Sequence, residues 1–239
     1  MNFKLIFSAL LIVFFGGYGC EEEGIEDLID FSEFVPVEDT TYIDLDTLSK
    51  SKVQAKNIYI EDFTGVQCNN CPDAAKRIKA IKGRHPNRVI SMAIHSGPNN
   101  FVQPKADYSE NYFITKDGNN IASLLGTKGF LPEGTVERFK FSSEESIITS
   151  RLNWSGQADQ RILESTPLSI DIILEEIEEK TFSFLVRILY HENVDPVDAH
   201  FLAVYINEND IYDYQYNVDT AILDYKHDHV FRKSLTKYD

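Results

Sequence analysis

The sequence predicts two folded parts, an α/β domain over residues 56–165 and an all-β, sandwich-like domain over residues 166–239. In the first part, segments with strand composition alternate with segments of helical periodicity, which is typical of an α/β order. In the second part, short strand-like segments follow one another with no helical pattern between them, as in an antiparallel sandwich. We therefore place the domain boundary near Ser165.

The helices and strands of the first part follow from composition and spacing. Residues 57–63 and 88–94 are rich in β-formers and apolar residues, so we predict two strands there. Residues 73–84 repeat apolar side chains at helical spacing, and Pro72 suits the first position of that helix. The remaining predicted elements are helices over residues 108–115, 121–125 and 142–163 and a strand over residues 135–141.

The second part is predicted from turn-separated β-rich segments. We expect strands over residues 168–174, 181–190, 199–207, 221–225 and 229–235. Ahead of both parts, residues 20–55 are acidic and lack strong periodicity, which indicates a tether.

The N-terminal residues predict export. Lys4 precedes an apolar run over residues 5–15, and small residues lead to Cys20, so residues 1–19 have the pattern of a signal peptide. A cysteine directly after small residues resembles the lipobox of bacterial lipoproteins, which implies that Cys20 is lipidated and becomes the mature N-terminus. The alternative is an ordinary secreted protein in which Cys20 lies past the cleavage site.

The composition restricts the partners. The formal net charge is -15 at pH 7, which disfavours nucleic acid because phosphate binding needs clustered lysines and arginines. The same charge disfavours electrostatic adhesion to an anionic leaflet, so we expect membrane attachment through lipid. The expected location is the cell envelope, where disulfides are allowed.

Cys68 and Cys71 form a C-x-x-C pair between a predicted strand and a predicted helix start. A thiol at a helix N-terminus faces unsatisfied N–H groups that stabilise the thiolate, and the thiolate attacks disulfides. A permanent disulfide is the main alternative, although so short a loop contributes only roughly 2 kcal/mol of stability. Zinc binding is a weaker alternative because no second C-x-x-C or nearby C-x-x-H exists. No metal and no cofactor is predicted.

The residues around the pair resemble the thioredoxin superfamily. Asp62-Phe63 stands six residues before Cys68, and Leu131-Pro132 precedes the predicted strand at Thr135. The resemblance implies that Cys68 is the exposed attacking thiol and Cys71 the buried resolving one. It also implies that Asp62 accepts a proton beneath Cys71 and that Pro132 is a cis-proline shaping the substrate groove. Gln67 departs from the pattern, which has tryptophan there.

Three longer segments resemble the twenty-eight-kilodalton outer-membrane protein family of Bacteroidetes. They are E-x-F-T-G-x-x-C-x-x-C-P at residues 61–72, G-x-x-P-x-G-x-x-x-R at residues 129–138 and Y-x-H-x-H-V-x-R at residues 225–232. The resemblance implies a lipid-anchored or outer-membrane location, a thioredoxin-like domain and a β-rich second domain. Chains of that family continue beyond the third segment, so we expect the second domain to lack its last strands, as in a piece of a longer protein.

These observations predict an outer-membrane or surface lipoprotein that exchanges disulfides with a protein or peptide thiol or disulfide. Acidic residues after Cys20 resemble the export tags of surface lipoproteins in Bacteroidetes. The alternative is a surface-displayed binding or adhesion lipoprotein whose disulfide is vestigial or structural. His227 and His229, on one face of a predicted strand, could bind a metal, but a structural pair is the better interpretation, and His95 ends the second strand.

Overall fold

A computed structural model describes residues 54–178, 181–191 and 200–237. The signal peptide, Cys20 and nearly all of the tether lie outside these residues. The described strands are β1 (Ile58–Thr64), β2 (Val89–His95), β3 (Glu133–Val136), β4 (Thr149–Ser150), β5 (Leu168–Glu178), β6 (Thr181–Tyr190), β7 (Tyr205–Glu208), β8 (Ile211–Asn217), β9 (Thr220–His227) and β10 (Val230–Ser234). The described helices are α1 (Cys71–Arg84), α2 (Lys116–Leu125) and α3 (Trp154–Arg161).

A six-stranded mixed sheet in the order β4-β3-β1-β2-β10-β7 forms the centre of the molecule. β2 is parallel to both of its neighbours, β1 and β10, and the other pairings are antiparallel. Ile58 pairs with Val89 and Thr64 with His95, so β1 and β2 end at the same edge of the sheet. β1 has apolar residues on both faces, Ile58 and Ile60 on one and Phe63 on the other, and it is buried on both faces.

Helices cover both faces of this sheet. Ile58 and Ile60 point toward α1 and α3, where the fully buried Trp154 belongs to the same apolar cluster. Phe63 points to the other face and packs with Ile121 of α2. α1 begins at Cys71, with Pro72 as its second residue, and ends before His85-Pro86. Of the apolar residues at helical spacing it buries Ala74, Ile78 and Ile81 and leaves Ala75 exposed. The predictions for β1, α1 and β2 are therefore confirmed.

The expected separate sandwich is not what residues 200–237 form. β10 lies beside β2, and Phe231 packs with Met92 and Ile94, so strands from both sides of Ser165 share one sheet. The other late strands form two hairpins, β5–β6 and β8–β9. Strand composition does not specify which sheet a strand joins, and this is why the layout escaped prediction.

Two predicted helices and the length of one strand are wrong. Residues 109–113 are not helical because the backbone N–H groups of Glu110 and Asn111 donate to the carboxylate of Asp213 instead. The predicted helix over residues 142–163 is interrupted by β4, and only α3 is helical. β3 stops at Val136 because Glu137 and Arg138 adopt positive φ angles of 57° and 50°. No helix in the described part of the chain is long and apolar enough to cross a membrane.

Candidate functional site

The C-x-x-C pair lies where the sequence predicted it, between the end of β1 and the start of α1. The Sγ atoms of Cys68 and Cys71 are at disulfide-bonding distance, and their Cα atoms are 5.4 Å apart. Cys71 is the first residue of α1 and Pro72 the second, so the pair adjoins the N–H groups at the helix start. This placement favours a thiolate at the first cysteine once the bond is reduced.

Both cysteines are buried, which corrects the expectation that Cys68 is exposed. Cys68 has 4% of its surface exposed and Cys71 has 3%. The hairpin β8–β9, which we call the site hairpin, lies over the turn. The Gln215 amide donates to the carbonyl oxygens of Cys68 (3.1 Å) and Gly65 (3.2 Å), and the N–H of Tyr216 donates to the Val66 carbonyl (2.8 Å). The site hairpin thus closes the face that Cys68 would present to a substrate.

Asp62 is buried and lines the same cavity as Cys71. Its Oδ1 atom is buried and has no hydrogen-bond partner among the described residues. Burial disfavours the charged form and raises the pKa of Asp62 to about 7, although Arg151 opposes the shift. The carboxyl group can therefore take up or release a proton near neutral pH.

A cavity of about 470 Å³ lies between the sheet, α1 and the turn from β9 to β10. Asp62, Cys71 and His95 line its inner end, and Tyr225 and His227 of the site hairpin line one wall. Cys68 is not among the lining residues. Gln215, which binds the Cys68 carbonyl oxygen, also lines the cavity, so the cavity adjoins the cysteine turn beside Cys71.

The rings of His95, His227 and Phe113 form a triangle, in which Phe113 lies 4.9 Å from each imidazole and the two imidazoles are 6.2 Å apart. Burial lowers the pKa of His227 to about 4 and holds the pKa of His95 well below its usual range. Both imidazoles are therefore neutral at pH 7, and the Nδ1 atom of His95 has no partner among the described residues. His229 lies in the turn, not on a strand with His227, and no metal-binding cluster exists in the described segments.

The Leu131–Pro132 peptide bond is cis, as the resemblance implied. Pro132 is buried and directly precedes Glu133, which pairs with Phe63 at the end of β1. This places Pro132 at the sheet edge from which the cysteine turn begins. Its role in shaping a substrate groove stays a prediction.

The first two motif segments contact each other. Glu61, fully buried, accepts hydrogen bonds from Arg138 (2.7 Å) and from the Thr135 hydroxyl (2.7 Å). A side chain at Gly65 would meet the Phe101 carbonyl, and one at Gly134 would meet the Glu61 carbonyl, so close backbone approach requires both glycines. These motif residues fix β1 and β3 relative to one another.

Sequence reasoning missed Gln215, Tyr225 and the lysines of α1 as parts of the site. Gln215 and Tyr225 belong to the site hairpin, which folds back from the C-terminal part onto the cysteine turn. The motif Y-x-H-x-H-V-x-R at residues 225–232 carried the signal, because Tyr225 and His227 both line the cavity. The sequence analysis interpreted His227 and His229 as a structural pair, which did not indicate the position of His227 in the cavity.

Comparisons with known proteins bear on the fold. No family model matches the sequence, and no curated protein sequence matches it. The structure is similar to HBP35 of Porphyromonas gingivalis, with a TM-score of 0.52 and 19% identity over 76% of this chain and 57% of that one. The chain therefore spans a little over half the length of that structure. A structural-genomics protein from Agrobacterium tumefaciens matches with a TM-score of 0.42, 12% identity and coverage of 76% and 72%.

The likeness to HBP35 shows a shared fold with a Bacteroidetes protein. The described chain is mostly β, with a mixed sheet and three described helices.

Proposed function

We propose that this protein is a thiol–disulfide oxidoreductase whose thioredoxin-like unit consists of β1, α1, β2, β3, β4 and α3. The parallel pair β1–β2 with α1 after β1, followed by two antiparallel strands and a helix, is the order that such a unit has. The cis bond before Pro132 fits the same unit. We further propose that a lipid on Cys20 holds the protein at the outer membrane, facing the cell surface.

The observation that carries this proposal is the Oδ1 atom of Asp62, which is buried in the cavity that Cys71 lines and has no hydrogen-bond partner among the described residues. A buried polar atom without a hydrogen bond costs stability, so a purely structural disulfide gives no reason to keep it. A pKa of about 7 suits it to exchange a proton with Cys71 at neutral pH. Cys68 then forms the mixed disulfide with the substrate and Cys71 resolves it.

The proposed partner is a protein or peptide that carries a disulfide or a pair of thiols. Nucleic acid is not proposed as a partner because the chain has 38 acidic and 23 basic residues.

A redox titration of the chain tests the proposal. The alkylation of Cys68 and Cys71 is measured by mass across glutathione buffers of defined potential. We expect a midpoint between about -270 and -120 mV, where working oxidoreductases lie. A disulfide that stays closed below about -300 mV is structural and contradicts the proposal.

The second candidate is a surface-displayed binding lipoprotein with a structural disulfide. The near-complete burial of both cysteines favours it, as do the exposed apolar side chains of β5 and β6. Cys68→Ser separates the candidates, because it abolishes disulfide exchange under the first and leaves partner binding intact under the second.

A further inference from the structure

Both cysteines are buried, Cys68 at 4% and Cys71 at 3% exposure, but their surroundings differ. Gln215 and Tyr216 bind the carbonyl oxygens of Gly65, Val66 and Cys68. On the Cys71 side, the cavity of about 470 Å³ borders Cys71 directly. That volume accommodates a small molecule and excludes a folded protein. A small reagent that enters the cavity therefore lies beside Cys71, whereas Cys68 is not among the lining residues.

The lining of the cavity is basic although the chain is acidic. Four lysines contribute to it, and Asp62 and Asp228 are the only acidic residues there. Lys226 contacts Asp210 and Asp228, and the Nζ atom of Lys82 lies 2.7 Å from the Nε2 atom of His229. Lys76 and Lys79 form no ion pair with any other described residue, and their ammonium groups can attract an anion.

The inner end of the cavity has unused hydrogen-bonding atoms. Asp62 is 4% exposed and His95 is 2% exposed. The Oδ1 atom of Asp62 and the Nδ1 atom of His95 have no hydrogen-bond partner among the described residues. Such atoms are rare in folded proteins unless water or a ligand binds them. They lie in the same cavity as Cys71, whereas the unpaired lysines of α1 stand on its outer wall.

We propose that this cavity admits an anionic low-molecular-weight thiol, which reduces the disulfide by attacking Cys71 rather than Cys68. The inference rests on the proposed function and names the electron donor of that site. The lysines of α1 attract the anionic group, and the thiolate reaches the Cys71 sulfur.

The chemistry balances with two thiols. The first thiolate bonds to the Sγ atom of Cys71, the Cys68–Cys71 bond breaks, and the electron pair leaves on Cys68. Cys68 is the better leaving group because the helix N-terminus stabilises its thiolate. The second thiolate attacks the small-molecule sulfur of the mixed disulfide, and Cys71 leaves and takes a proton from Asp62. The protein disulfide gains two electrons, and the two thiols become one disulfide.

Three thiols with the same two-carbon skeleton test the charge preference: mercaptoethanesulfonate, mercaptoethanol and cysteamine. The rate of disulfide reduction in the full chain is measured by alkylation and mass, and is divided by the thiolate concentration of each reagent. We expect the anionic reagent to react at least about fivefold faster than the neutral one and the cationic reagent to react most slowly. About 0.5 M salt should remove the difference.

Matched variants locate the route. Lys79→Gln at the cavity should remove most of the advantage of mercaptoethanesulfonate and leave mercaptoethanol unchanged. Lys105→Gln is the control. Lys105 follows Gln103 and Pro104, whose carbonyl oxygens accept hydrogen bonds from Gln67, the residue next to Cys68. It therefore tests a lysine near Cys68 that does not line the cavity. Ala75→Trp places a large ring at the exposed cavity wall and should slow all three reagents severalfold.

The position of the first adduct decides the proposal. The reaction with limiting mercaptoethanesulfonate is quenched with acid, and tandem mass spectrometry locates the mixed disulfide. An adduct on Cys71 is expected. An adduct on Cys68, or equal rates for the three thiols, overturns the inference even if the redox midpoint supports an oxidoreductase. If the disulfide stays closed below about -300 mV but the adduct forms on Cys71, the proposed function is wrong and the inference that small thiols attack Cys71 still holds.

Discussion

Two hairpins of this protein have similar strands and opposite environments. The site hairpin contributes Ile211 and Tyr214 to an apolar cluster with Val66 and Phe113, and its Gln215 binds the cysteine turn. The hairpin β5–β6, which we call the apolar hairpin, exposes large apolar side chains: Ile170, Ile172, Leu174, Phe182 and Ile188.

The register of the apolar hairpin explains its surface. Ile170 pairs with Ile188, Ile172 with Val186 and Leu174 with Phe184, and because directly opposed residues share a face, one face is continuously apolar. The other face carries the ion pair of Asp171 with Arg187. Two strands with an uncovered apolar face are only marginally stable alone, whereas the site hairpin gains stability from the sheet it covers.

The comparison shows that strand composition does not set the environment of a hairpin. The site hairpin buries the polar side chains of Asp213 and Gln215, because each has partners on the loop at residues 110–111 or on the cysteine turn. Burial here follows from hydrogen-bond complementarity as much as from apolar content.

The largest expected effect comes from Asp62, which is buried beneath the site hairpin. Asp62→Asn should raise the free energy of unfolding by about 2 to 4 kcal/mol at about pH 8. The folded-state pKa of about 7 exceeds the ordinary 3.8, so ionisation opposes folding increasingly as the pH rises from about 4 to about 7. Urea unfolding across this pH range measures the effect.

The gain should vanish near pH 4, where Asp62 is protonated in both the folded and the unfolded chain of the parent protein. A variant that is no more stable than the parent at pH 8 would show that water reaches the carboxyl group and that the site hairpin does not bury it.

The same substitution in both hairpins tests their difference directly. Ile211→Ala, at a buried position, should cost about 2 to 4 kcal/mol of stability because it leaves a cavity beside Val66 and Tyr214. Ile172→Ala, at a position with 68% of its surface exposed, should cost less than about 0.5 kcal/mol. Urea unfolding at one protein concentration gives both values.

Equal costs for the two substitutions would break the comparison, since they would mean that the apolar hairpin is covered in solution. Repeating the Ile172→Ala measurement at higher protein concentration then shows whether a second copy of the chain covers it, because association makes stability depend on concentration.

The smallest effect concerns the contact between the site hairpin and the cysteine turn. Gln215→Ala removes three donated hydrogen bonds and should cost about 1 to 2 kcal/mol, with severalfold faster reduction of the disulfide by a protein dithiol. Stopped alkylation and mass measurement give the rate.

Gln157→Ala is the matched control. Gln157 is also buried, but it bonds to Thr149 and Glu144, away from the cysteines. It should cost similar stability and leave the reduction rate unchanged. If both variants accelerate reduction equally, global unfolding rather than the movement of the site hairpin exposes Cys68.

Local signals in the sequence were sufficient to predict the part of the site formed by β1, the cysteine turn and α1. The β-rich composition of residues 57–63, the helical period after Pro72 and the spacing of Asp62 to Cys68 are short-range features, and β1 and α1 formed where they were predicted. The partners of Asp213 and Gln215 lie 102 to 150 residues away in the chain, and no local pattern indicates them. Residues 108–115 were predicted as a helix because the hydrogen bonds of Glu110 and Asn111 to the distant Asp213 leave no local signal in the sequence.

The sequence by itself determined the cysteine pair at a helix start, the aspartate beneath it and the strand content of the C-terminal part, because these depend on neighbours within a few residues. Only the tertiary structure decided that β10 joins the central sheet and that the site hairpin covers Cys68. It also decided that Cys71 faces a basic cavity. Those features depend on hydrogen bonds and apolar contacts between distant segments, which form only when the whole chain packs.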